Sequence, residues 1–187
     1  MRFFLIVSFL FLVASCSTEP LRSYILTPAG PAPAGGGAIS LGIGPITAAD
    51  YLQRLEIPVQ TGENELEYAF EHLWAGTVES QMTTVVGTNL GRELNTGKIA
   101  QYPWPPSASL DHIVEIEVRR LHSTVGGEVI FEAGWQIYGS KPRVLKRSGT
   151  YSTTLAFTGE GFKPATKAKS RAVELMCREI ASVIRSL

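Results

Sequence analysis

The apolar positions of this chain change period several times, and each change marks an element. Ile39, Leu41 and Ile43 alternate with small residues, the period of a strand buried on one face. Gly44-Pro45 is expected to stop that strand. Tyr24-Ile25-Leu26, within residues 21–26, predicts a shorter strand before it, and residues 27–37 between the two read as a flexible Pro, Ala and Gly loop with little to pack. Residues 50–54 are expected to form a helical turn or a loop that carries Tyr51 and Leu52 outward. Residues 57–60 and 65–70 read as short extended segments around the turn-rich Thr61-Gly62-Glu63-Asn64.

From Leu73 the period becomes helical. Val78, Met82, Val85, Val86 and Leu90 recur at three- and four-residue spacing, which predicts a helix on a sheet that ends near Gly97. Gln101-Tyr102-Pro103-Trp104-Pro105-Pro106 is too proline-rich for a helix or a central strand. Three strands are expected next. In the first, Val114, Ile116 and Val118 face the core while Glu115, Glu117 and Arg119 face away. The second carries Val129, Phe131, Ala133, Trp135 and Ile137 inward, and Gly126-Gly127 before it is a hairpin signal. The third runs over about 144–157. A last helix over about 165–186 places Val173, Met176, Cys177, Ile180, Val183, Ile184 and Leu187 on one face. The pattern has no internal repeat and predicts one α+β domain, a two-layer sandwich with a mostly antiparallel sheet and two amphipathic helices on one face.

The N-terminus reads as a processing signal rather than as fold. Arg2 is followed by an apolar run over residues 3–14, broken only by Ser8, and Val13-Ala14-Ser15-Cys16 closes it. A run of that length ending in small residues is a secretory signal, too short to span a bilayer stably. With Cys at the cut site it resembles the lipobox of bacterial lipoproteins. That resemblance implies a diacylglycerol on the Cys16 thiol, cleavage before Cys16 and acylation of the new amino terminus. Three acyl chains anchor firmly, since one myristoyl alone is marginal. The expected organisation is a signal peptide over 1–15, a lipidated tether over 16–23 and the α+β domain over 24–187. No later stretch is long and uncharged enough to predict a transmembrane helix.

Charge and cysteine count narrow the function. Removal of 1–15 from the 187 residues leaves 172, enough for one sizeable core, and takes Arg2 from the 17 Lys+Arg that balance 17 Asp+Glu. A near-neutral chain argues against nucleic acid and against a polybasic membrane patch, so attachment falls to the lipid. Cys177 then has no intrachain partner and reads as a buried apolar residue. The chain offers little for reaction chemistry. Asp111 and His112 are neighbours on a predicted strand and point to opposite faces. His72 lacks the second His of a zinc helix, and Gly42-x-Gly44 is followed by Pro45, which removes an amide that a phosphate loop needs. No G-x-S-x-G elbow exists. The expectation is a protein that is not an enzyme and holds no metal, with no cofactor beyond the covalent lipid on Cys16.

A longer resemblance spans essentially the whole mature chain. Tyr24-x-Leu26 follows the lipid Cys, and Gly44-Pro45, Tyr51-Leu52-x-Arg54, Ile57-x-Val59 and His72-Leu73-Trp74-Ala75 precede the first helix. Tyr102-Pro103-Trp104, the Val114–Val118 strand, Gly134-Trp135 and Ile180-Ala181 continue the order. In this order and spacing the chain is similar to the PqiC (YmbA-type) lipoproteins, auxiliary subunits of ABC-type, Mce-domain lipid transport systems. The resemblance implies an outer-membrane lipoprotein on the periplasmic side that docks an Mce-domain periplasmic protein. A homo-oligomer would suit a subunit that surrounds a conduit. Ser17 after the lipid Cys fits outer-membrane sorting, since Asp there is the inner-membrane retention signal in enterobacteria. The runner-up reading is an assembly, plug or chaperone lipoprotein of a β-barrel system. Tyr51, Leu52, Arg54, Tyr102 and Trp104 are the candidate partner-binding residues, because rigid aromatics on proline-bounded loops suit interface anchors; covering the sheet edges is the competing role for the same side chains.

Overall fold

The computed structural model describes residues 20–31, 33 and 35–187. Eight strands form one mixed sheet: β1 (Arg22–Tyr24), β2 (Leu41–Ala48), β3 (Glu56–Gly62), β4 (Glu65–Trp74), β5 (Ile99–Gln101), β6 (His112–Thr124), β7 (Glu128–Gly139) and β8 (Val144–Ala156). The helices are α1 (Val78–Glu93) and α2 (Phe162–Ile184), with one 3₁₀ turn at Asp50–Leu52. The two longest ladders, β6 with β7 and β7 with β8, are antiparallel, as is the β3–β4 hairpin. The short ladders β1–β4, β2–β5 and β3–β6 are parallel, and so is β2–β6. Helix α1 packs on β2 and β5, α2 packs on β6, β7 and β8, and the helices pack on each other. The α+β two-layer sandwich is thus the observed architecture.

Long strand β6 organises the sheet. One edge pairs with β7 along its length, while the other is shared, with β2 against His112–Val118 and β3 against Ser123 and Thr124. Between these partners the chain leaves β6 through the 3₁₀ turn and returns. Strand β2 does not stop at Gly44-Pro45; the register shifts there and pairing resumes at Ile46, so the proline is accommodated in a bulge. Strand β4 extends to Trp74, which is buried at a strand end rather than at a helix start. Helix α1 begins later, where the Thr77 hydroxyl accepts from Ser80 N–H, and ends at Glu93 rather than near Gly97.

The core is the layer between helices and sheet. Leu41, Ile43, Ile57, Val114, Val118, Leu121, Phe131 and Ile137 meet Met82, Val86 and Leu90 of α1 and Val173, Met176, Cys177, Ile180 and Ile184 of α2. Leu187, expected on that face, lies beyond the helix end and is exposed. Trp135 lies flat over Gly149 of the neighbouring strand, where a Cβ would come within 2.5 Å of the indole, and its Nε1–H donates to Glu179 on α2 (3.3 Å). The loop after β1 packs more than its composition suggests. Leu26, Thr27 and Ala29 N–H groups donate to Gln81, Ser170 and Asn89, which straps the segment across both helices.

Candidate functional site

Tyr51 and Leu52 turn inward, against the outward placement expected from the sequence. The 3₁₀ turn bridges the interval on β6 that neither β2 nor β3 pairs, and Leu52 fills the space beneath it, fully buried in the core cluster. The Tyr51 hydroxyl takes the place of a missing strand: Leu121 N–H donates to it (3.2 Å). That hydroxyl lies 2.9 Å from His122 Nδ1, and His122 Nε2 lies 3.2 Å from Gln60 Oε1. The network fits a neutral imidazole, with Nδ1 accepting from Tyr51 and Nε2–H donating to Gln60. Burial, with Arg120 and Lys169 adding to it, lowers the His122 pKa from 6.5 to about 4. Burial raises that of Tyr51. Because the folded His122 resists protonation, stability falls as pH drops from 6.5 toward about 4 and levels off below.

Tyr51 is therefore a fold residue, and Tyr51→Phe should show it. Removing the hydroxyl leaves Leu121 N–H and His122 Nδ1 without their partner, which costs about 1–3 kcal/mol. A urea titration showing a loss below about 0.5 kcal/mol, the size of an ordinary surface change, would contradict that role. Arg54 differs: its guanidinium is exposed, pairs with Glu56 (3.3 Å) and lies 4.4 Å from the centre of the Tyr68 ring.

Tyr102 and Trp104 lie together at another place. Tyr102 follows β5, is 56% exposed and meets Trp104 edge-on at 5.4 Å between ring centres. Trp104 lies over the bare backbone of Gly42 on the helix-free face of β2; a Cβ there would come within 3.2 Å of the indole and 2.8 Å of Leu110. Register carries this aromatic corner across the sheet. Gly42 is opposite Ile113, Ile113 opposite Tyr138, and Tyr138 opposite Leu145, and cross-strand partners share a face. Ile113 is buried yet stands outside the core cluster, as a residue on the helix-free face should. Tyr138 and Leu145 carry no periodic signal of their own, and only the strand register links them to Trp104.

Next to this row, the helix-free face holds an open groove of about 460 Å³ lined by Pro45, Thr47, Glu115, Gln136, Ser148 and Thr150, among others. Its carboxylates are paired: Glu117 with Arg119 (2.9 Å) and Glu115 with Arg143. Asp111 accepts from the Ser40 amide and hydroxyl, both at 2.8 Å, and these bonds lower its pKa. Among the described residues no group of three or more His, Cys, Asp or Glu could hold a metal ion. His72 stacks on Phe162 at 3.9 Å and its Nδ1 lies 2.8 Å from the Tyr24 hydroxyl. Cys177 is buried, and burial pushes its thiol pKa far up, away from thiolate chemistry. Cys16 and Ser17 lie outside the described residues, and no described helix is long and apolar enough to cross a membrane.

The ABC-type transport auxiliary lipoprotein component family matches over residues 24–181, and the chain belongs to that family, which includes the PqiC/YmbA-type lipoproteins. Two solved structures share the fold at low identity. Protein XCC0632 from Xanthomonas campestris is 18% identical with a TM-score of 0.70, covering 86% of this chain and 92% of its own. A structure described as an uncharacterized protein is 17% identical with a TM-score of 0.74, covering 89% of this chain and 99% of its own. No curated protein sequence matches the chain.

Proposed function

We propose that this protein is an outer-membrane-anchored periplasmic lipoprotein that docks the periplasmic assembly of an ABC/Mce-type intermembrane lipid transport system. It performs no bond chemistry of its own. Membership of the transport auxiliary lipoprotein family is the observation that carries the reading. The signal over residues 1–15 and the Cys16 that follows it supply the anchor, and Ser17 the outer-membrane sorting residue; the tether expected over 16–23 is shortened to 16–21, because Arg22 and Ser23 already pair in β1.

The direction of β1 agrees with such an anchor. Strand β1 is parallel to β4, β4 is antiparallel to β3, and β3 is parallel to β6, so β1 runs against β6. The chain therefore enters β1 from the end of the sheet where β6 turns into β7. From Cys16 to Leu21 the backbone reaches at most about 17 Å, which keeps that end close to the membrane. Tyr102 and Trp104 lie toward the other end, beside the start of β6, because Gln101 is in register with Ile43 and Ile43 with Val114.

The test begins with anchoring. Cys16→Ala should abolish lipid labelling and release the protein from membranes or leave it uncleaved. Ser17→Asp should move part of the protein to the inner membrane of an enterobacterial host on a density gradient. Equal recovery of the Cys16→Ala form in the outer-membrane fraction after a high-salt wash would refute the lipid anchor, and an unmoved Ser17→Asp form would remove the sorting argument.

A further inference from the structure

We propose that the membrane-distal corner of the helix-free sheet face is the surface that meets the transporter, and that its counterpart is an apolar patch rimmed by carboxylates. The assignment rests on the docking function proposed above and adds the residues and the chemistry of the contact.

The first observation is the composition of the corner. Trp104, Ile113, Tyr138 and Leu145 follow one another across β2, β6, β7 and β8 in a single cross-strand row, with Tyr102 edge-on to Trp104. Tyr102 is 56% exposed and Leu145 49% exposed, so the row has an open surface at both ends. Arg143 covers Tyr138, its guanidinium 4.8 Å from the ring centre, and pairs with Glu115. Aromatic anchors with a stacked Arg are what a contact surface concentrates at its centre.

The second observation is charge. The turn from β7 into β8 reads Lys141-Pro142-Arg143-Val144-Leu145-Lys146-Arg147, four cations around two exposed aliphatic residues. Among the described residues Lys141, Lys146 and Arg147 have no carboxylate within ion-pair distance, as is also true of Lys163 and Lys167 on α2, whereas Arg143 in the same turn pairs with Glu115. Four of the cations in a chain of zero formal net charge thus lie within this one turn. Such a rim steers and orients an acidic partner.

The third observation is position. The tip lies where β7 ends, and the tether enters β1 at Arg22, which register carries through His72 and the start of β3 to about Arg120 of β6, opposite Glu132 of β7. From Glu132 to Gly139 the strand advances seven residues, which separates the two by roughly 23 Å at ~3.3 Å per residue. The tip therefore points away from the leaflet that holds the lipid. That favours a protein partner in the periplasm over the anchoring membrane as the acidic counterpart.

The experiment uses the full lipoprotein, solubilised in detergent, with capture of the Mce-domain protein of its transport system as readout. Two variants are compared with wild type: Lys141→Glu with Lys146→Glu and Arg147→Glu, and Leu145→Ser alone. The expected result is a loss of capture of about tenfold or more in the charge variant, a smaller loss for Leu145→Ser, and weaker wild-type capture at high salt. Thermal melts should stay at wild-type values, since all four side chains are exposed. Undiminished capture by both variants overturns the surface while leaving the docking function standing. A wild-type protein that captures no Mce-domain protein overturns the docking function and this assignment with it. A lipoprotein anchored in phosphatidylcholine vesicles that recruits phosphatidylglycerol vesicles through these same cations would assign the tip to lipid and overturn the proposal.

Discussion

Replacing Lys169 by Met should make the protein more stable. Lys169 sits on the sheet-facing side of α2, fully buried, with its ammonium 5.3 Å from the centre of the Trp74 ring. Among the described residues its Nζ has no hydrogen-bond partner, and neither has Trp74 Nε1. The contact with the indole face returns part of what the charge loses on leaving water, but not a hydrogen-bonded counterion. Burial accordingly brings the lysine pKa down from 10.5 to about 7. Exchange of a buried charge for an apolar chain of similar volume is neutral to stabilising by about 1–4 kcal/mol, and here there is no partner left unpaired.

The pH dependence gives the prediction its signature. Above about pH 7 the folded protein holds Lys169 neutral, while the unfolded chain stays protonated up to 10.5. Wild-type stability should therefore rise with pH across that window, by up to about 1.4 kcal/mol per unit. The Met variant lacks this slope, so its advantage is greatest at and below pH 7 and shrinks toward pH 10. Denaturant melts at several pH values check it. A Met variant less stable than wild type at pH 7 would mean that the ammonium has a stabilising partner.

Ile180→Ala has the opposite sign. Ile180 is fully buried where α2 lies on the sheet, in one cluster with Val173, Met176, Cys177 and Ile184. A truncation there leaves a cavity between two rigid layers and should cost about 2–5 kcal/mol. A loss under about 1 kcal/mol, no more than an average substitution, would show that the helix face is not packed on the sheet as described. The pair of predictions separates burial of an apolar group from burial of a charge on one helix.

Much of this fold was legible because period reports burial. The inward positions of β6 and β7 and the apolar face of α2 follow directly from alternation and helical spacing. What the period could not show was pairing. Gly44-Pro45 reads as a stop, yet β6 is long enough to take β2 up again beyond a bulge. Tyr51 and Leu52 read as an exposed loop because nothing local tells of the gap on β6 that they fill. Lys169 lies within Lys167-Ala168-Lys169-Ser170-Arg171 and looks like part of a solvated face. The anchor proposed at Cys16 rests on contiguous residues of the sequence alone. Of the proposed docking corner, Tyr102 and Trp104 stood out in the sequence, Tyr138 and Leu145 join them only through strand register, and the cations at 141–147 only through the turn between β7 and β8.

The central claim, that this lipoprotein docks a transport assembly from the outer membrane, is most directly tested by quantifying what copurifies with the affinity-tagged lipoprotein from detergent-solubilised envelopes. The Mce-domain protein of an ABC-type system should be recovered in a fixed ratio with the wild type, from the outer-membrane fraction. Recovery from that fraction should fall to background with Cys16→Ala. Recovery of a β-barrel assembly component instead, or recovery from the outer-membrane fraction that survives Cys16→Ala, would contradict the claim.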